Sequence, residues 1–186
     1  MKDTSADTAA KKRILASVVN KLKKKYGENV LLDPSVITNY DVISSGSMLF
    51  DKDSGIGGIA RGKVVEVYGD EASGKTTLAS CLCANAQERY PDDMVLFVDI
   101  EHALDLDYMR SFGVNTDPEK FILAQPSSIE EALTIMEDMC ESGLFSLIVL
   151  DSVGAALTED QLAKGMDENT MGSLAKRMSV GTNKLK

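Results

Sequence analysis

Residues 64–77 hold the densest chemistry in the chain: Val64-Val65-Glu66-Val67-Tyr68-Gly69-Asp70-Glu71-Ala72-Ser73-Gly74-Lys75-Thr76-Thr77. A β-branched run feeds a glycine loop, which ends in Lys-Thr-Thr and a helix-forming stretch. Gly69 and Gly74 fit the Gly-x-x-x-x-Gly-Lys-[Ser/Thr] spacing with no mismatch. Glycines let backbone N–H groups curl round a phosphate without Cβ clashes, and a helix N-terminus adds a favourable dipole. Asp70, Glu71, Ala72 and Ser73 form the rest of the loop and Thr77 continues into the helix. Lys75 reaches the outer phosphates as a point charge, while the Thr76 hydroxyl ligates magnesium. A strand before and a helix after distinguish this stretch from a chance match within a loop. The residues describe a nucleoside triphosphate site that works with Mg2+.

The surrounding pattern supplies elements to position that loop. After strand 64–68 and a helix over 75–89, Met94-Val95-Leu96-Phe97-Val98 is a continuous apolar run, as expected of a strand buried on both faces. A short helix over 106–112 and a strand over 121–124 follow. Ser128-x-x-Glu131 is a capping box for a helix that places Ile129, Leu133, Met136 and Cys140 on one face, with Gly143 at its end. Leu147-Ile148-Val149-Leu150 is another buried strand. This alternation predicts an α/β fold with a parallel sheet and right-handed crossovers. Ligands of such sheets bind beyond the carboxyl ends of the strands. There the predicted strands end in the phosphate loop, Asp99-x-Glu101, Gln125 and Asp151-Ser152. Asp151, after four apolar residues, has the form of a Walker B aspartate that holds magnesium directly or through water. Glu101 is the candidate catalytic base, placed to orient a water in line with the γ-phosphate. The alternative is that Glu101 or Asp99 caps the next helix. His102 is expected to make a simple hydrogen bond.

Bulk properties bound the remainder. The chain has 186 residues, a net charge of −9, three cysteines and one histidine. Residues 1–30 carry eight Lys or Arg against three Asp or Glu, so a basic head precedes an acidic body. Total charge does not decide DNA binding, because a local cationic strip suffices. No apolar run approaches membrane-spanning length, and the first ten residues are too polar for a signal peptide, which predicts a cytoplasmic protein. Cys81, Cys83 and Cys140 read as reduced packing thiols, and a structural metal is not expected. Ile14, Leu15, Val18, Val19, Leu22 and Tyr26 recur at helical spacing, with Asp7 or Thr8 as cap and Gly27 as stop. This helix either packs on its own domain or docks on a neighbouring subunit. Val30-Leu31-Leu32 reads as a short strand before an Asp33-Pro34 turn. The small residues of 43–62 read as a turn-rich connector.

At Phe97-Val98-Asp99-Ile100-Glu101-His102-Ala103-Leu104-Asp105 the chain resembles the RecA recombinases, whose strand after the phosphate loop ends in Glu-His-Ala-Leu-Asp. Ile43-Ser44-Ser45-Gly46-Ser47, the approach Gly62 to Gly69, Gln125-Pro126, Asp151-Ser152-Val153 and Met171-Gly172 agree in order and approximate spacing. Arg89-Tyr90-Pro91-Asp92 and Tyr108 to Val114 lean towards the bacteriophage branch that includes UvsX. The resemblance implies a P-loop NTPase with a RecA-like core, here incomplete, of parallel sheet and flanking helices behind a small helix-strand arm. By position, Lys75 and Thr76 bind phosphate and magnesium, Glu101 activates water and Asp151 completes the metal site. Asp105 contacts adenine by hydrogen bond and Tyr108 by stacking. Residues 163–172, including Met171 and Gly172, match the first DNA-binding loop, with Lys176, Arg177 and Ser179 in the helix behind it. Backbone cations there suit sequence-independent binding of single-stranded DNA.

The same resemblance implies an oligomerisation arm over 1–33, docking on an adjacent protomer, and a RecA-like ATPase core over 34–186, truncated before its last strands. In the family a further strand lies between the phosphate-loop strand and the Walker B strand. The implied function is an ATP-dependent recombinase in homologous recombination and DNA repair, forming filaments on single-stranded DNA. This chain is expected to be an N-terminal part, inactive alone. The alternatives are a non-catalytic piece that docks on a full-length recombinase filament, and another P-loop ATPase such as a helicase or loader. Two positions depart from the pattern. Asp70 stands where the family usually has Pro, and Asn183 where it often has a basic residue for DNA.

Overall fold

The computed structural model describes residues 4–31, 40–163 and 172–185. It divides into two compact units, residues 1–40 and 41–186. In the first, α1 (Thr4–Tyr26) begins ahead of the predicted Asp7 or Thr8 cap, since the alanines that follow extend a helix readily. Gly27, at φ 99°, ends it as expected, its N–H donating to the Lys23 carbonyl at 2.8 Å. Glu28–Val30 is a 3₁₀ turn, which corrects the expected strand at Val30. Among the described residues nothing in this unit offers a ladder, whereas a Lys23–Glu28 ion pair at 3.1 Å and a Val30 N–H to Gly27 carbonyl bond at 3.3 Å favour a coil. Leu32 and the Asp33-Pro34 turn lie outside the described residues. No helix among the described residues is long and apolar enough to cross a membrane.

In the second unit the connector is more ordered than a run of turns. β1 (Val42–Ile43) and β2 (Ile59–Ala60) pair antiparallel around α2 (Met48–Asp53). One carboxylate organises this region. Asp51 accepts from Ser44 Oγ at 2.6 Å, Ser45 N–H at 2.9 Å and Ser45 Oγ at 2.6 Å, while Ser47 caps α2. The serines therefore serve as donors rather than only as flexible spacers. Hydrogen bonds from Ser44, then Ser45, hold the Asp51 carboxyl below its ordinary 3.8, against a smaller desolvation effect. A depressed folded pKa stabilises above the unfolded value, and that stability is lost as pH falls through the folded one. Urea midpoints followed from pH 5 downward are expected to fall less steeply in Asp51→Asn than in wild type; identical profiles would remove Asp51 from the acid response.

The main sheet is parallel, with order β4 (Phe121–Ala124), β3 (Met94–Asp99), β5 (Phe145–Asp151). Val95 and Phe97 enter one core with Leu82, Cys83 and Ala86 of α3 (Lys75–Arg89) and Met109 of α4 (Leu106–Ser111). Leu96 and Val98 enter the other with Ile129 and Ala132 of α5 (Ile129–Ser142). Opposite-facing neighbours both buried explain why β3 is apolar throughout. α6 (Glu159–Ala163) follows β5, and α7 (Ser173–Lys184) packs Leu174 and Met178 against the α5 side. Cys83 is fully buried and burial pushes its thiol pKa well up. Cys140 is exposed, because the apolar contacts of α5 end at Met139.

Residues 64–68 do not form the predicted strand. Val64, Val65 and Val67 are about half exposed and Tyr68 is 89% exposed, outside any ladder. β-propensity alone does not make a strand; a paired edge does. The resemblance to the RecA recombinases implies another strand between this segment and β5. Among the described residues none pairs with the outer side of β5 or with 64–68.

Candidate functional site

The phosphate loop folds locally from its glycines and its lysine. Gly74 sits at φ 92° as the N-cap of α3 and makes no side-chain cap, so the first N–H groups of a fifteen-residue helix open towards the loop. Ala72 also takes positive φ, at 59°. Lys75 lies across the loop, its Nζ donating to the carbonyls of Gly69 at 2.9 Å and Asp70 at 2.8 Å. Asp70, Glu71, Ala72 and Ser73 are exposed, and the Ser73 N–H donates to the Asp70 carbonyl at 3.2 Å. Asp70, where the resemblance leads one to expect Pro, thus contributes through its backbone carbonyl.

The ends of β3 and β5 bring carboxylates to the same place. Thr76 Oγ1 donates to Asp151 Oδ2 at 2.6 Å, joining the start of α3 to the end of β5. These two hard oxygens form a pair suited to magnesium, which also keeps waters and substrate phosphates as ligands. Among the described residues no three Asp, Glu, His or Cys converge as a metal cluster, so the ion would depend on such outside ligands. Glu101 is exposed, and its Oε1 accepts from Ser152 Oγ at 2.5 Å. Ile100 N–H donates to the Asp151 carbonyl at 2.8 Å, which fixes the two strand ends beside each other.

Asp99 and Glu101 differ in kind. Asp99 is 3% exposed and accepts from Leu104 N–H at 3.1 Å and Gln125 Nε2 at 3.0 Å. It ties the loop after β3 to the end of β4. Gln125, expected near the nucleotide, is engaged in that tie. His102, at φ 55°, has its Nε2 3.4 Å from the Pro126 carbonyl, the simple hydrogen bond expected of it.

Asp105 caps α4, its Oδ1 accepting from Asp107 N–H at 2.9 Å and Tyr108 N–H at 3.1 Å. Tyr108 is held at both ends. Its hydroxyl lies 2.9 Å from Thr77 Oγ1, and Phe112 meets its ring edge-on at 4.9 Å between centroids. Residue spacing carried no signal for the Thr77–Tyr108 contact or for Ser152 on Glu101.

The helix assigned to DNA is divided. Met171 lies outside the described residues. Gly172 is the N-cap of α7 at φ 85°. Lys176, Arg177 and Ser179 are all exposed, and Arg177, with its side chain 49% exposed, is in addition ion-paired to Glu130 at 2.9 Å and to Asp160 at 3.7 Å. Asn183 is exposed on the same helix.

The RecA N-terminal domain family model matches residues 13–186. The chain is 41% identical over 177 residues to Protein RecA of Mesoplasma florum, covering 94% of this chain and 52% of that protein. It is 37% identical over 184 residues to Protein RecA of Aquifex aeolicus, covering 98% and 52%. With Protein RecA of Deinococcus radiodurans it shares 38% identity over 188 residues, covering 99% and 51%. The chain spans about half the length of the curated relatives it matches.

Proposed function

The chain belongs to the RecA family through its N-terminal domain, and from that premise we propose that it binds ATP with Mg2+ and takes part in DNA recombination and repair on single-stranded DNA. The observation that carries this reading is the 2.6 Å contact of Thr76 with Asp151, which joins two motif residues 75 positions apart. Bound ATP supplies an electrophilic γ-phosphoryl group, and Thr76 and Asp151 would hold the metal that neutralises its charge. Lys75 exchanges the carbonyls of Gly69 and Asp70 for phosphate oxygens. Gly69 to Thr77 supply the backbone and hydroxyl donors of the cradle. Glu101, fixed by Ser152, orients a water and accepts its proton. Asp105 and Tyr108 face the adenine. Lys176, Arg177, Ser179, Met171 and Gly172 belong to the DNA-binding region.

Residues 1–33 are proposed as an arm for self-association into filaments, or for docking on a full-length recombinase, and 34–186 as the ATPase core. The bacteriophage lean rests on two short segments, and the relatives reported above are bacterial. A second reading, a non-catalytic piece docked on a full-length recombinase, is favoured by the outer side of β5, which no strand among the described residues pairs, and by the exposed 64–68 segment. Such edges invite a partner strand, so turnover by the chain alone is expected to be weak. Pull-down on a full-length RecA, with and without residues 1–33, tests that docking.

Calorimetric titration of ATP, with magnesium and with chelator, tests the main reading. Magnesium-dependent binding is expected, weakened about tenfold or more by Asp151→Asn and retained in Glu101→Gln. Binding indifferent to magnesium, or lost equally in both variants, would defeat the assignment of these two carboxylates.

A further inference from the structure

Glu130 is the second residue of α5 and its side chain is only 17% exposed. A carboxylate removed from water to that degree must be paired. Its Oε2 accepts the Glu159 N–H at 3.0 Å, the first residue of α6. Its Oε1 lies 2.9 Å from Arg177 Nε of α7, with the N–H not aimed along the contact, so charge rather than a linear hydrogen bond holds them. Arg177 also reaches back to α6, where Nη2 stands 3.7 Å from Asp160 Oδ2. Neighbouring bonds tighten the junction. The Ile129 N–H donates to the Leu157 carbonyl at 2.9 Å, and the buried Thr158 hydroxyl lies 3.4 Å from Ser173 Oγ at the start of α7.

Two carboxylates around one guanidinium leave the trio net negative, a poor place to attract phosphate. Lys176, the adjacent residue, is exposed and among the described residues pairs with no carboxylate. We propose that Glu130 is a positioning residue that fastens α6 and α7 to the start of α5, that Arg177 is held within this junction, and that Lys176 is the cation α7 presents to single-stranded DNA. The DNA half of this rests on the reading of α7 given above; the junction does not.

The test uses the full chain with two readouts. Affinity for a labelled single strand is measured by anisotropy over a range of salt, where each phosphate contact contributes about 0.7 to the log–log slope. Hydrogen exchange at Glu159 and through α7 reports the junction. Arg177→Gln and Glu130→Gln are expected to speed exchange at Glu159 and weaken DNA about fivefold without changing the slope. Lys176→Gln is expected to lower the slope by about 0.7 with exchange unchanged. Arg177→Lys, which keeps the charge without the fork, serves if Gln unfolds the region, and is expected to speed exchange with the slope intact. A slope lowered in the Arg177 variants with exchange unaltered overturns the proposal and makes Arg177 a direct contact. Absence of DNA binding in wild type overturns the Lys176 assignment together with the DNA reading. In that case unaltered exchange in the Glu130 and Arg177 variants overturns the junction itself.

Discussion

Lys75→Ala is expected to lower affinity for magnesium ATP by about a hundredfold, roughly 2.7 kcal/mol, while the unfolding midpoint barely moves. The ammonium donates two bonds to the Gly69 and Asp70 carbonyls at the exposed mouth of the loop. A triphosphate offers charged acceptors in their place, and charge-assisted bonds are about twice as strong as neutral ones. The loop also carries Asp70 and Glu71. Without Lys75 the loop keeps two acidic residues and no cation near the phosphates, which places the loss at the upper end for a single lysine. Folding suffers little because the freed carbonyls belong to exposed residues and can take water. Lys75→Arg keeps the charge but not the compact point donor, and should fall between. Fluorescent nucleotide titration measures all three proteins. A loss under about fivefold in the alanine variant would remove Lys75 from the phosphate contact.

Which features were legible follows from where their causes lie along the chain. β3 could be recognised because burial of both faces is written in consecutive residues, Val95 and Phe97 on one side and Leu96 and Val98 on the other. The start and end of α5 were equally local: Ser128 Oγ accepts the Glu131 N–H at 3.1 Å, and Gly143 takes φ 69°. The phosphate loop is a contiguous motif, and the helix that follows it begins beside the carboxyl end of β5, where Thr76 meets Asp151. Segment 64–68 failed because its residues are β-formers whose pairing depends on a partner elsewhere. Asp51 escaped notice for a related reason. A carboxylate bonding six and seven residues back produces no helical or strand period. Arg177 was assigned by type and position, and the acids that engage it, Glu130 and Asp160, are distant in sequence. Local chemistry is therefore visible in the chain, while the loading of a side chain by distant partners is not.

Gly58→Ala is expected to destabilise the second unit by about 3 kcal/mol or more, lowering its midpoint by roughly 6–12 °C. Gly58 sits at φ 147°, and an added Cβ would stand 2.1 Å from the Ile43 carbonyl oxygen, 2.8 Å from its carbon and 3.0 Å from Ser44 Cα. All three are backbone atoms, so no rotamer change relieves the overlap. The strands must part where Ile43 pairs with Ile59. Ile43 is 1% exposed and packs in the same core as Leu82, Val95 and Phe97, so its displacement costs burial as well as pairing. Gly57→Ala separates the causes. Gly57 is also at positive φ, 86°, but nothing lies within 4 Å of its added Cβ. Its cost should be backbone strain alone, about 1 kcal/mol. The loss should also reach the nucleotide, because Asn85 of α3 donates to the Ser44 carbonyl at 2.9 Å, and α3 begins with Lys75 and Thr76. ATP affinity in Gly58→Ala is therefore expected to fall, though less than in Lys75→Ala. Equal destabilisation by the two glycine variants would assign the whole cost to backbone conformation and none to the contact with Ile43.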